Sequence, residues 1–376
     1  MKKVFLISSV LLFLVLLFLV VYNFAFRENR STALVDPDKK TAPKEDEALL
    51  DLPSGALAPV IHDTVLGVTL ADKTLLYYSR KEKALKQADL SGKKSEVLFA
   101  SFPSEPSRVV WSPRKDATLL LLDTPSGPLW HLFTLKDKKL TPLKKEMSRL
   151  AWTNLGDSIF YQFAEAGGRS SLNVSSPDGS NWRKLTDLAS GSFFIAPVPQ
   201  SSSVSFWSRP NGLEQNSLQT VPFTGGEQKT LFKDHYGTDF LWSPKGDRLL
   251  VGSVTEKGKF EPSIGLANEN GGEYRDLLVP TLISKVVWGK DNQSIYYAHP
   301  GTFSQETVLP NDYFGKPIIT RDTFWKMDVV TGKRERLIPL EEIKVAVDAT
   351  ELFLTNDENT LFFTDRVSGK LYGISL

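Results

Sequence analysis

Residues 239–253 read DFLWSPKGDRLLVGS, and this stretch decides the fold because the chain repeats it. Three other stretches have the same form, namely RVVWSPRKDATLLLL at 108–122, RLAWTNLGDSIFYQF at 149–163 and KVVWGKDNQSIYYAH at 285–299. Each contains two apolar residues, a Trp, a polar turn and an apolar strand. The tryptophans at 111, 152, 242 and 288 are 41, 90 and 46 residues apart. The long gap predicts a further copy at 192–208, with Ala196 in the position of Trp.

A second pattern falls about halfway through each period and consists of a strand, a turn with Gly and another strand. It occurs at 84–99, 171–186, 217–232, 263–278 and 323–338, and at 128–143 with Asp137 in place of Gly. Gly, Asn and Asp tolerate the positive φ that tight hairpin turns need. Each period therefore holds four short strands, and a period of roughly 40–46 residues with four strands is typical of a propeller blade.

We predict an all-β fold, a seven-bladed β-propeller over residues 55–376, with six or eight blades as alternatives. The apolar runs at 119–122 and 249–251 suit strands that are covered on both faces. Six complete units are followed by a partial unit at 347–376, and residues 56–61 are predicted to supply its outermost strand and close the ring. A two-sheet sandwich is the alternative, but it does not require the internal period.

The N-terminus contains a long apolar segment. Residues 4–22 are 19 residues without a charge, and as a helix they span roughly 28 Å, close to the hydrocarbon thickness of a bilayer. We predict a transmembrane signal anchor at 4–26, with a cleaved signal peptide or a buried helix as alternatives. Lys2 and Lys3 precede the segment, so residues 1–3 are expected in the cytoplasm. The chain is then a single-pass cell-membrane protein with its C-terminal domain extracytoplasmic.

Residues 27–54 mix charges of both signs with three prolines and have no aromatic residue, which predicts a disordered linker. The whole chain has a net charge of +1 and no cysteine. The charge balance gives no reason to expect nucleic acid as a partner. The absence of cysteine excludes disulfides, thiolate metal ligands and cysteine nucleophiles.

Motifs of catalysis are missing from the sequence. It has no GxSxG, P-loop, GxGxxG or HExxH pattern, and its four histidines, at 62, 131, 235 and 299, do not form a metal-binding spacing. We therefore expect no catalytic residue, no metal and no cofactor. Asp116, Asp157 and Asp247 recur at one place in the repeat, so we interpret them as turn residues rather than catalytic acids.

The repeat resembles that of TolB-type β-propellers. Trp111-Ser112-Pro113 and Trp242-Ser243-Pro244-Lys245-Gly246-Asp247 match its Trp-Ser-Pro-x-Gly-Asp motif. The resemblance implies a propeller of the bacterial envelope that is in most cases a binding platform, and in some the non-catalytic half of a peptidase. The chain has no TolB-like α/β domain before the repeats, so the role of TolB itself is not implied.

One unit departs from the repeat. It spans 57 residues at 284–340, against about 42 in its neighbours, and the excess is the segment 299–321. Long loops on a rigid scaffold are frequent sites of function, and exposed aromatic side chains suit a protein or glycan surface. We predict ligand or partner binding by Phe303, Tyr313 and Phe314, and by Phe260 in a second loop at 256–262. The alternative is a loop that only covers the end of the propeller.

The sequence thus predicts a membrane-anchored binding scaffold without enzymatic activity. Its expected partners are an envelope protein, a peptide or a cell-wall polymer. Two alternatives remain open: a lyase or hydrolase that uses the central channel, and a structural subunit of an envelope assembly.

Overall fold

A computed structural model describes residues 57–315 and 318–376. The predicted cytoplasmic N-terminus, anchor and linker lie outside the described residues. Within these residues the chain is almost entirely β-structure, as predicted. No helix in the described ranges is both long enough and apolar enough to cross a membrane.

The strands form antiparallel sheets in which neighbours in sequence are neighbours in space. The first three sheets have four strands each. They consist of β2 (Val65–Ala71), β3 (Thr74–Ser79), β4 (Ala84–Asp89) and β5 (Ser95–Phe99); of β6 (Pro106–Trp111), β7 (Ala117–Thr124), β8 (Gly127–Thr134) and β9 (Lys139–Pro142); and of β10 (Met147–Trp152), β11 (Ile159–Ala164), β12 (Ser170–Ser175) and β13 (Arg183–Leu188).

The next sheet has seven strands, β14 (Phe193–Pro197), β15 (Ser203–Ser208), β16 (Gln215–Pro222), β17 (Lys229–Trp242), β18 (Arg248–Val254), β19 (Pro262–Asn268) and β20 (Arg275–Val279). A four-stranded sheet follows, with β21 (Val286–Trp288), β22 (Ser294–His299), β23 (Thr323–Asp328) and β24 (Arg334–Arg336). The last sheet combines β25 (Ala349–Leu354), β26 (Thr360–Asp365) and β27 (Leu371–Ser375) with β1 (Ala58–Ile61). Short helices are α1 (Asn311–Gly315) and the 3-10 turns Ala166–Gly168, Ile283–Lys285 and Leu340–Glu342.

The long strand β17 pairs with a different strand along each half of its length. Its first half pairs with β16, and its second half, from Tyr236 to Trp242, pairs with β18. An apolar cluster nevertheless places Trp207 and Leu218 of β15 and β16 against Leu249 and Val251 of β18. The two halves of the seven-stranded sheet therefore pack face to face, as separate sheets do.

Each repeated Trp donates a hydrogen bond to the preceding unit. The indole N–H of Trp111 donates to Gly67 O at 2.7 Å, that of Trp152 to Val110 O at 2.9 Å, and that of Trp288 to Leu241 O at 3.3 Å. A buried indole N–H needs a partner, and a carbonyl of the preceding first strand supplies it in these three cases. Trp242 instead donates to Ser205 Oγ of β15 at 3.0 Å. The regular spacing of Trp within the chain thus reflects a recurring contact between units.

The aspartates of the repeated turn are structural, as predicted. Asp116 accepts a hydrogen bond from Ser112 Oγ at 2.7 Å, and Asp247 accepts one from Ser243 Oγ at 2.9 Å. Asp157 has the same bond from Thr153 Oγ1 at 2.9 Å. The partner is the hydroxyl four residues earlier, rather than only a backbone N–H.

Backbone hydrogen bonds show which residue takes the position of Trp in the unit that lacks it. Val198 N donates to Ser203 O at 2.9 Å, the same bond that Ser112 N makes to Ala117 O directly after Trp111. Pro197 therefore occupies the position of Trp in this unit, and the assignment of Ala196 is wrong. Proline has no indole donor, so the recurring contact is absent here.

The core lies between successive sheets. The side chains of Leu249 and Val251 pack toward the preceding unit, whereas that of Leu250 between them packs toward the next. All three are fully buried, which confirms that the apolar run is covered on both faces. The described residues form six sheets rather than the two of a sandwich.

The N-terminal strand closes the ring. β1 pairs with β27, with Ala58 opposite Gly373 and Ile61 opposite Leu371. Ile61 also packs in one cluster with Leu75 of the first sheet and Phe362 of the last. The prediction that residues 56–61 complete the last unit is confirmed for the described residues 58–61.

The antiparallel order separates the loops into two sets. Connections between the first and second strands of a sheet, including WSPKGD, lie at one face, together with those between the third and fourth. Connections between the second and third strands, and from one sheet to the next, lie at the opposite face. We call this second one the insertion face, because the segment 299–321 joins β22 to β23, the second and third strands of their sheet.

Candidate functional site

The segment 299–321 has a small apolar core of its own. Phe303, Leu309 and Tyr313 are buried in one cluster with Val254 and Leu282, and Tyr236, Phe260 and Ile318 pack against it. Val254 and Phe260 belong to β18 and the loop after it, so the segment reaches across to a neighbouring unit. Its described residues therefore form an ordered layer on the insertion face.

The aromatic residues of the segment do not share one environment. Phe303 is 9% exposed and Tyr313 only 1%, whereas Phe314 is 44% exposed, and Phe260 is partly buried. The assumption that all four present a free surface is wrong for Phe303 and Tyr313, because their rings fill the core of the segment. Phe314 alone has the exposure that the predicted contact role requires.

The hydroxyl of Tyr313 belongs to a buried network of charged side chains. Its hydroxyl donates to Asp348 Oδ1 at 2.6 Å. The Nζ of Lys285 lies 2.7 Å from the same oxygen and 2.6 Å from Asp322 Oδ2. Lys285 and both carboxylates are fully shielded from solvent at their side chains. A buried ammonium needs such partners, because desolvation without them is prohibitive.

Arg366 completes the network from the last sheet. Its Nη2 lies 2.8 Å from Asp348 Oδ2, and its guanidinium lies 4.3 Å from the centre of the Tyr313 ring. It also donates to the carbonyl of Ile318. The network therefore ties Tyr313 of α1, and Ile318 beyond the helix, to residues that flank β25 and β26.

The pKa values of the two carboxyls in this network shift in opposite directions. Burial alone would raise the pKa of Asp348, but Arg366, Lys285 and Tyr313 together lower it to about 2. Burial raises the pKa of Asp322, with Lys285 opposing the shift. Asp322 Oδ1 is buried without a hydrogen-bond partner, which is consistent with its weaker stabilisation as an anion.

The other side of α1 contacts the seven-stranded sheet. Asn311 Oδ1 accepts from Gly212 N at 2.7 Å, and Asn311 Nδ2 donates to Asn211 Oδ1 at 2.7 Å. A Cβ on Gly212 would lie 2.0 Å from Leu309 O, so only glycine permits this approach. The loop between β15 and β16 and the inserted segment therefore form one wall.

This wall borders a cavity of about 470 Å³. Most of its lining side chains are hydroxyls and amides, with one exposed aromatic ring and two charges of opposite sign; they include Ser190, Ser192, Ser208, Asn211, Asn311, Phe314, Arg209 and Glu214. A second cavity of about 450 Å³ shares Ser190 and Ser208 with it. We call the two together the polar groove. It brings Phe314, but not Phe303, Tyr313 or Phe260, to a ligand-sized space.

Charged residues recur in the first strands at the insertion face. The first strands of successive sheets lie beside one another, and Leu354 holds the Trp position in the last sheet because Thr355 N bonds to Thr360 O. Three residues before the Trp position lies a charged side chain in five units. Four lie in first strands, Arg108, Arg149, Asp239 and Glu351, and Lys285 lies in the 3-10 turn directly before β21. Sequence reasoning missed this set, although the residue before each apolar pair is visible in the quoted repeats.

The carboxyls among these residues have raised pKa values. Burial raises the pKa of Asp239 to about 6, although Phe240 N and Trp207 Nε1 donate to it. Desolvation by the surrounding protein raises the pKa of Glu351, and Arg108 opposes this shift, although solvent reaches the side chain. That combination fits a carboxyl at the mouth of a confined, wet channel.

The histidines do not form a site. His235 packs against the rings of Phe232 and Tyr274, and burial lowers the pKa of His299. In the described parts of the chain, no group of three or more His, Asp or Glu side chains is placed to hold a metal ion.

No protein-family model matches this sequence, and no curated protein matches it. Solved structures do. An oligogalacturonate lyase in complex with manganese is 14% identical with a TM-score of 0.60, over 81% of this chain and 86% of that one. An oligogalacturonate lyase from Vibrio parahaemolyticus is 10% identical with a TM-score of 0.62, over 88% and 96%. TolB from Acinetobacter baumannii is 17% identical with a TM-score of 0.46, over 75% and 63%.

These similarities show the fold. The chain is a β-propeller, and the resemblance to TolB-type propellers is confirmed at that level. They also correct one prediction: the sequence predicts a protein without enzymatic activity, whereas two structures with this fold are lyases. The inference fails because motif searches detect contiguous sites, whereas a propeller can assemble a site from loops of different sheets.

Proposed function

We propose that the chain is a membrane-anchored, extracytoplasmic β-propeller that binds its ligand or partner in the polar groove of the insertion face. The observation that carries this proposal is the exposed Phe314 at the rim of a cavity of about 470 Å³. A rigid aromatic anchor beside a concave polar surface is what recognition sites commonly use.

We propose seven blades. Twenty-seven strands occur in the described residues, and β17 contributes to two units, so seven sets of four strands are accounted for. Seven apolar clusters lie between successive units. A ring of seven units has seven such interfaces, which supports this count.

The anchor supports the proposed location. Residues 4–26 are proposed to hold the propeller at the cell membrane, with residues 27–54 as a spacer. The groove would then meet envelope proteins, peptides or cell-wall polymers. Protease treatment of intact cells and of lysed cells tests this topology, since an extracytoplasmic propeller is accessible in both.

A photo-crosslinking amino acid at position 314 of the full chain tests the binding site. The matched control is position 182, because Trp182 is also an exposed aromatic residue, at 58%, but lies in a turn between β12 and β13 on the opposite face. We expect a discrete crosslinked product from position 314 and none from 182. Equal products from both positions would contradict the proposal.

A second candidate function is an enzyme that acts in or near the central channel. The two lyase structures favour it, as do the raised pKa values of Asp239 and Glu351 at the insertion face. Incubation of the full chain with oligogalacturonate, followed by detection of unsaturated products, tests it. Product formation that Glu351→Gln abolishes would favour this candidate.

A further inference from the structure

We infer that a small cavity, which adjoins the polar groove at Phe314, binds the terminal ammonium of a lysine side chain through Asp239 and Ser284. The rest of the ligand, a peptide, lies in the groove. This inference rests on the proposed function and names the chemical group that the site recognises.

The cavity has a volume of about 10 Å³ and lies where β17, β18, the 3-10 turn Ile283–Lys285 and α1 meet. Phe314 lines both this cavity and the polar groove, so the two spaces adjoin at its ring. A volume of this size admits one group about as large as a water molecule. Only the tip of a ligand therefore enters the cavity, and the remainder stays in the groove.

The walls of the cavity approach each other closely at two glycines. A Cβ on Gly237 would lie 2.9 Å from Pro310 Cδ, and one on Gly252 would lie 2.7 Å from Ile283 Cγ1. Further apolar side chains line the same space, namely Val254, Leu282 and Phe314. Narrow apolar walls suit an unbranched alkyl chain that ends in a small polar group, and they do not suit a branched or quaternary one.

Asp239 offers this cavity a carboxylate oxygen that has no donor. Trp207 Nε1, at 2.9 Å, and Phe240 N, at 3.0 Å, both donate to Oδ1. Among the described residues, none donates to Oδ2. Burial raises the pKa of Asp239 to about 6, and only these two donors oppose the shift. A carboxylate that is shielded from water in this way gains most from a cationic donor.

Ser284 supplies a second acceptor in the same cavity. It lines the space with Asp239, and its Oγ is buried without a hydrogen-bond partner in the described structure. An ammonium group has three donors and no acceptor. It can therefore satisfy the hydroxyl and the carboxylate oxygen together, and unlike a water molecule it also neutralises the charge of the carboxylate.

The charges of the polar groove favour a cationic ligand as well. Three carboxylates and two cations line its two cavities, namely Asp187, Asp234, Glu214, Arg209 and Lys233. The excess is negative, so the groove attracts cations. The amides of Asn211, Gln215 and Gln219 in its walls can pair with the N–H and C=O groups of a peptide. In an amino sugar the ammonium is attached directly to a ring, which is too wide for the cavity.

The other titratable groups around the cavity have partners or lie along the groove. Lys285 and Tyr313 both donate to Asp348, and Asp312 accepts from Val308 N at 2.9 Å. His235 packs against Phe232. The four that line the groove are Arg209, Glu214, Lys233 and Asp234. Asp239 is therefore the carboxyl that we assign to the ligand.

Isothermal titration of the full chain in detergent micelles, at about pH 7.5, tests the inference. The probe is the peptide acetyl-Gly-Lys-Gly-amide, compared with its trimethyllysine form, its acetyllysine form and glucosamine. We expect the lysine peptide to bind best. Asp239→Asn should weaken its binding about tenfold or more, because the ammonium loses its counter-charge. Ser284→Ala should weaken it about threefold, the effect of one neutral hydrogen bond.

The matched control is Asp357→Asn. It removes the same charge from an exposed side chain in the turn between β25 and β26, on the opposite face. We expect its affinity to equal that of the wild type. At about pH 5 the wild type should bind about tenfold more weakly, because most Asp239 side chains then carry a proton. Asp239→Asn should not show this pH dependence, and thermal melts verify that each variant folds.

Several outcomes overturn the inference: equal loss in Asp239→Asn and Asp357→Asn, equal binding of the trimethyllysine peptide, or preferred binding of glucosamine. A pH dependence that persists in Asp239→Asn would also refute it. No binding of any probe would mean that the cavity holds only water, which refutes the lysine site. Crosslinking at position 314 would still decide the proposed function separately.

Discussion

The hydroxyl of Tyr313 donates to Asp348 Oδ1 at 2.6 Å, and this bond joins the inserted segment to the last sheet. The two residues are 35 positions apart. The contact explains why an aromatic residue in a long loop is buried, and it holds its exposed neighbour Phe314 at the groove.

Tyr313→Phe should destabilise the protein by about 2 kcal/mol, because the buried Asp348 carboxylate loses a charge-assisted hydrogen bond. Denaturant unfolding measures the change. The control is Tyr78→Phe, since the Tyr78 hydroxyl is buried without a partner and its removal should leave stability unchanged or raise it. Equal effects of the two changes would show that the bond to Asp348 contributes nothing.

Lys285→Met should destabilise the protein by about 3–5 kcal/mol, because two buried carboxylates lose their shared cation. Lys259→Met is the control; its ion pair with Glu256, at 3.9 Å, is exposed. The double variant K285M/D322N, in which one carboxylate is also neutral, should recover part of the loss. A double variant less stable than Lys285→Met alone would contradict this account.

Asp239 makes the stability depend on pH. Burial raises its pKa to about 6, so the folded state holds this proton more tightly than the unfolded state does. The free energy of unfolding should therefore fall as the pH rises from about 4 to about 6. Asp239→Asn keeps the acceptor for Trp207 and Phe240 and should be more stable than the wild type by up to about 3 kcal/mol above pH 6. At pH 4 the two should agree; a constant difference across this range would refute the assignment to Asp239.

Removal of residues 57–62 should lower the melting temperature sharply, because β27 loses its partner strand and the contact of Ile61 with Leu75 and Phe362 disappears. Thermal unfolding followed by circular dichroism measures this. A deletion of equal length at 40–45 serves as the control and should leave the transition unchanged.

The repeated features could be predicted from the sequence, since each is local and occurs several times. The Trp position, the Asp turns and the apolar second strands follow from short-range patterns. The hydrogen-bond partner of each Asp could not be predicted. The sequence contains both Ser243 and Asp247, but the bond between them depends on the geometry of the turn. The register of the copy without Trp was misplaced by one residue, because Pro197 is recognised only by the backbone bond of Val198.

The site was predictable only in part. The break in the repeat located the segment 299–321 and thus Phe314. The burial of Tyr313 could not be predicted, because it depends on Lys285 and Asp348, which are 63 residues apart and meet only in the folded ring. The charges before each Trp were visible, but their convergence requires knowledge that the first strands lie side by side.

The pairing of β1 with β27 has a mechanical consequence. β1 is the first strand of the propeller in chain order, so a pull on the residues that precede it in sequence would reach the propeller through Ala58–Ile61. The bonds of a four-residue strand would carry that load before any other sheet does. Such tension would separate β1 from β27 first and leave β25, β26 and β27 paired in the last sheet.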